Sequence, residues 1–127
     1  MRSSDSSHPP LGFDLDGCID EAPAFFRPLS EIWPAPVYVI TYRRDPDRAR
    51  EYVDRFGIRY DEIILVQRFE DKAVVIREKN IGVYFDDQDE MLMHIPENVT
   101  VLKIRNGGNF EFKTKQWLYS GATGHQF

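Results

Sequence analysis

Short apolar runs alternate with helix-like segments along most of the chain, and that alternation constrains the fold more than any other feature. Leu11 to Leu15, Val37 to Thr41, Glu62 to Val66, Ile81 to Phe85 and Val99 to Ile104 read as strands, mostly rich in β-branched residues. Asp45 to Phe56 is the clearest helix: Asp45 is placed to cap it, Pro46 occupies its first position, Gly57 ends it, and Ala49, Tyr52, Val53 and Phe56 follow helical spacing. Asp71 to Lys79 reads as a second helix and Asp87 to Ile95 as a third, stopped by Pro96. Phe25, Phe26, Leu29, Ile32 and Trp33 suggest another helix before the second strand, kinked or split by Pro28. Strands alternating with helices predict a doubly wound, three-layer α/β sandwich on a five-stranded parallel sheet with right-handed crossovers. Ligands of such sheets gather at the C-terminal ends of the strands. Asn106 to Asn109 is a turn signal before Phe110 and Phe112, which predicts a C-terminal β-hairpin with its second strand at an edge.

At 127 residues the chain suits one domain. We expect residues 1–10 to be a loose arm and 11–127 the domain. No apolar run approaches the ~20 residues of a membrane span, and the first ten residues lack an apolar signal core, so the expected location is the cytoplasm. The single cysteine forms no internal disulfide, in keeping with a reducing compartment. A net charge of −5 argues against a broad nucleic-acid surface and permits cation binding.

Two acidic sites stand at strand ends. Asp14 and Asp16 flank Leu15, and Gly17 frees the backbone to turn just beyond them. Strand alternation would aim both carboxylates to one side, one placed for nucleophilic attack on phosphorus and the other for moving the leaving-group proton. The ordinary alternative is a turn that contains two acids. Asp86-Asp87-Gln88-Asp89-Glu90 follows the fourth strand. Magnesium favours hard oxygen ligands, so Asp86 or Asp87 could complete a cation site with Asp14, whereas Asp89 and Glu90 suit the first turn of a helix. Thr41 ends the second strand, where its hydroxyl can donate to a phosphoryl oxygen, unless it is simply a β-branched strand residue. Lys72, near a helix start, could offset charge on the nucleophile and on a phosphoryl group, unless it is an exposed salt-bridging lysine; Lys79 sits at the far end of that helix. Arg43, Arg44, Arg48 and Arg50 could grip a phosphate, but Asp45, Asp47 and Glu51 interleave with them as on a solvated helix face.

GFDLDG at 12–17, VITYR at 39–43, Lys72 and VYFDD at 83–87 together resemble the four motifs of the haloacid-dehalogenase-like hydrolase superfamily, over residues 11 to 104. The resemblance implies a Rossmann-like sheet of order 5-4-1-2-3 and a magnesium-dependent phosphatase acting through an aspartyl-phosphate. In that reading Asp14 is the nucleophile, Asp16 the acid/base, and Thr41, Arg43 and Lys72 bind the substrate phosphate. Mg2+ lies among Asp14, the Asp16 carbonyl, Asp86 and Asp87. The segments between motifs are too short for a cap domain, so a capless enzyme nearest the small deoxyribonucleotidase-like branch is implied. Its substrate would be a nucleotide or other small phosphate, and a macromolecular phosphate is the second choice. The alternative is a degenerate member that binds a metal or partner without turnover. Without a lid the site would be covered by substrate or by a second subunit in a homodimer, and the aromatic stretch Phe110, Phe112, Trp117 and Tyr119 is a candidate cover.

A cysteine phosphatase would need an arginine six positions after Cys18, where Ala24 stands. No lysine follows a glycine-rich turn as in a P-loop, and His8, His94 and His125 lack the paired spacing of a zinc site. A response-regulator receiver carries its phosphoacceptor aspartate on a later strand.

Overall fold

Five parallel strands form the sheet in the computed structural model, which describes residues 8–105 and 110–117. They are β1 (Leu11–Phe13), β2 (Val37–Thr41), β3 (Glu62–Leu65), β4 (Val83–Asp86) and β5 (Thr100–Lys103), in the order β3-β2-β1-β4-β5. That is the expected order read from the opposite edge. The connecting helices are α1 (Pro23–Ile32), α2 (Pro46–Arg55), α3 (Asp71–Glu78) and the single turn α4 (Asp89–Leu92).

Period-two alternation in the strands divides the core into two layers. Leu11, Phe13, Val37, Val39 and Phe85 face one side, where Phe26 of α1 and Val53 of α2 cover them. Ile40 and Tyr84 face the other, packed with Ile76 of α3 and Ile81. Gly12 sits on this second face because Tyr84 and Ile81 cross directly over it; a Cβ there would come within 2.9 Å of the Tyr84 ring.

Local chemistry sets the helix ends. Asp45 caps α2 by accepting from the Asp47 and Arg48 amides at 3.0 and 3.2 Å, and Gly57 takes φ +70 just beyond it. Pro28 does not split α1, contrary to expectation. Its ring and the i−4 residue Ala24 are both exposed, so the missing hydrogen bond falls on the solvent side, while Phe26 and Leu29 hold the other side to the sheet. The expected helix from Asp87 to Ile95 shrinks to one turn because Gln88 is extended (φ −125, ψ 131), which keeps Asp87 at the strand end.

The expected hairpin is present as a separate two-stranded sheet, β6 (Phe110–Glu111) with β7 (Gln116–Trp117), antiparallel. Its reversal lies between those strands; the Asn106 to Asn109 signal falls outside the described residues, as do residues 1–7 and Tyr119. Phe110 is buried and lies beneath the Arg105 guanidinium at 4.0 Å, while Phe112 is exposed. Ahead of β1, Pro9 packs over Gly82 and accepts from Trp33 Nε1 at 2.9 Å, and the Pro10 carbonyl accepts from Gly82 N at 3.0 Å. Among the described residues no helix is long and apolar enough to cross a membrane.

Candidate functional site

Three loops converge at the C-terminal edge of the sheet, where β1, β2 and β4 end. Asp14 follows β1 in extended conformation, and its amide bonds the Phe85 carbonyl at 2.9 Å, fixing the β1 end against the β4 end. The chain then makes a wide turn over Leu15–Ile19, broken at Asp16 (φ −75, ψ 123) and Gly17 (φ +80). Gly17 is required twice: its φ is left-handed, and a Cβ there would collide with the Asp87 carboxylate. The strand periodicity assumed past Asp14 therefore fails. Asp14 and Asp16 do not address a common partner.

Asp14 turns inward. Lys72 Nζ donates to its Oδ1 at 2.7 Å and to Asp86 Oδ2 at 2.9 Å, and all three side chains are buried. Asp86 is fully engaged: its Oδ2 also accepts from the Tyr84 hydroxyl at 2.7 Å, and its Oδ1 accepts from the amides of Asp87 and Gln88 at 2.7 and 3.1 Å. Tyr84 was missed in the sequence, although it stands two residues before Asp86 and so shares its strand face. Asp14, Asp86 and Asp87 each place one carboxylate oxygen within 4.8 Å of the others.

The electrostatics follow from burial. Desolvation, then the Asp86 charge, pushes the Asp14 carboxyl well above the usual carboxylate range against the opposing pull of Lys72. Desolvation and Asp86 likewise push Asp87 up to about 7. Burial alone would lower Lys72, but the Asp14 and Asp86 carboxylates outweigh it and hold the ammonium charged. With all groups ionised, three carboxylates face one ammonium.

Asp16 turns outward. Arg43 grips it at two points, Nε to Oδ2 at 2.9 Å and Nη2 to Oδ1 at 2.6 Å, and the Thr41 hydroxyl lies 3.5 Å from Oδ2. The Arg43 guanidinium stacks on the Tyr52 ring at 4.8 Å, the Tyr52 hydroxyl donates to Asp20 at 3.0 Å, and Asp20 accepts from the Gly17 amide at 2.8 Å. No sequence pattern marked Asp20 or Tyr52. Thr41 is fully buried. Lys79 pairs with Glu62 at 3.1 Å, away from the cluster.

No family model matches this chain, and no curated protein matches it. A solved structure described as a universal stress protein in complex with cAMP is similar, with a TM-score of 0.48, 7% identity, and coverage of 76% of this chain and 97% of that one. That structure carries the description of a universal stress protein, where the motif order had implied a haloacid-dehalogenase-like hydrolase. That corrects the superfamily expectation, with its deoxyribonucleotidase-like branch and its capless description. It also corrects the expected magnesium-dependent phosphatase working through an aspartyl-phosphate. The geometry puts the Lys72 ammonium on Asp14, as expected, and shows what the motif order did not indicate: Asp16 is an acceptor in a two-point ion pair with Arg43. Likeness at this identity assigns the chain no ligand.

Proposed function

We propose that the C-terminal edge of this sheet binds a divalent cation, magnesium, and through it a small phosphorylated molecule. The observation that carries the reading is the buried triad Asp14, Asp86 and Asp87 facing a single ammonium. Hard carboxylate oxygens suit Mg2+, which keeps several of its other positions for water and ligand phosphate. Asp86 already accepts four hydrogen bonds, about the capacity of a carboxylate, so it acts as the fixed charge behind the site. Asp14 and Asp87 are the direct ligands, their carboxylate oxygens lying within 4.8 Å of each other at the strand ends. Asp16, held by Arg43, lines the mouth rather than the cation.

Binding to the folded state alone stabilises it by mass action, about 1.4 kcal/mol at ten times Kd. For a domain of this size that raises Tm by roughly 4–8 °C. Thermal melts over 0 to 20 mM MgCl2, beside an equal series of NaCl, test it. Wild type should rise and Asp87→Asn should not; a wild-type Tm that follows NaCl alone sinks the proposal.

A further inference from the structure

The face of α2 that looks back toward the site carries Arg48, Glu51, Tyr52 and Arg55 at i, i+3, i+4 and i+7, one continuous helical stripe. With Arg43 from the loop after β2, these five residues line a groove of 340 Å³. Two guanidinium groups lie against the Tyr52 ring, Arg43 at 4.8 Å and Arg55 at 5.4 Å from its centroid. The ring is itself held by its hydroxyl on Asp20, so the groove floor is fixed to the turn that carries Asp16 and Gly17. Asp45 approaches Arg48 only at 3.9 Å, and the same carboxylate already caps α2. With Arg43 already paired to Asp16, Arg48 and Arg55 against Glu51 leave the lining with an excess of positive charge.

We infer that this groove is a second anion subsite, taking a second phosphate or carboxylate group of the bound molecule. Arg43 joins the two places, since its grip on Asp16 fixes the guanidinium plane at the head of the groove while Tyr52 supports its face. Planar, fork-shaped donors on a rigid aromatic floor suit an oxyanion better than flexible ammonium groups would. Glu51 adds an acceptor for a hydroxyl of the ligand. The inference rests on the reading above only in giving both anionic groups to one molecule.

The test uses full-length protein without magnesium, titrated with inorganic pyrophosphate while the arginine Nε–H resonances are followed by NMR, beside NaCl of matched ionic strength. Arg43, Arg48 and Arg55 should shift together with one Kd, and the double variant R48Q/R55Q should weaken that Kd at least threefold. These are solvent-facing positions, so a matching melting curve confirms that the variant is folded. Shifts reproduced by NaCl, or a double variant within threefold of wild type, overturn the subsite. Asp87→Asn, in which the cation site is disabled, should keep the full pyrophosphate response, so loss of the magnesium reading and loss of the subsite register separately.

Discussion

Lys72 Nζ lies 2.7 Å from Asp14 Oδ1, an ion pair closed between α3 and the end of β1 with the lysine side chain 1% exposed. The same ammonium reaches Asp86 Oδ2 at 2.9 Å, so it bridges two acids of the Asp14, Asp86 and Asp87 cluster. It is what allows three acids to be buried on one sheet edge.

Removing it should therefore cost far more than a surface ion pair. Lys72→Met keeps the bulk of the stem but leaves buried carboxylates uncompensated, and breaking a buried pair by deleting one partner typically costs about 3–5 kcal/mol. Urea unfolding of magnesium-free protein should show that loss, and millimolar magnesium should restore part of it. A loss under about 1 kcal/mol would mean that the cluster is hydrated in solution.

Tyr84→Phe removes one hydroxyl donor from Asp86 and leaves the packing over Gly12 intact. A buried acceptor that loses one partner costs about 1–3 kcal/mol. Because Asp86 keeps Lys72 and two amides, magnesium affinity should change less than stability does. Calorimetry and chemical unfolding on the same variant compare the two. Affinity falling with no change in stability would show that Tyr84 acts on the cation directly.

Gly17→Ala should damage both. The left-handed φ of +80 costs roughly 1 kcal/mol for a residue with a Cβ, and that Cβ would also displace the Asp87 carboxylate. Asn relieves the first penalty better than Ala and does not relieve the second. If Gly17→Asn binds magnesium as wild type does, Asp87 is not a ligand.

The strand ends were legible because strands declare themselves by β-branched runs and their register follows from period two; Val37 to Thr41 agrees to the residue. Asp45 as cap and Pro46 at the first helical position were legible for the same local reason. Lys72, Asp14 and Asp86 could be selected because each stands at an element end facing one edge. What could not be read was which acid meets which base. Arg43 on Asp16, and Tyr52 on Asp20, join residues 27 and 32 positions apart, and that choice depends on the broken turn at Asp16 and Gly17. The motif order carried the same residues to a hydrolase because spacing along a chain does not report how charges pair in space.

The last prediction concerns protons. Burial pushes Asp87 up to about 7 and raises Asp14 in the same direction, whereas unfolded aspartates titrate at about 3.9. A folded pKa above the unfolded one means that the native state binds more protons over the interval between them, so stability falls as pH rises through it. The contribution is full below about pH 4 and lost by about pH 7, in the sense opposite to a salt-bridged carboxylate, and Lys72, charged throughout, adds no slope there. Magnesium on Asp14 and Asp87 must displace the protons that these raised carboxyls retain, so its binding should release protons below pH 7 and tighten as pH rises. Calorimetric titration at pH 6 in two buffers of different ionisation enthalpy measures that release directly. Roughly one proton per magnesium at pH 6, falling toward none by pH 8, is the expected outcome. Magnesium binding with no buffer dependence at pH 6 would place the ion elsewhere on the chain, and no slope in metal-free stability between pH 4 and 7 would show that the triad is not buried as described.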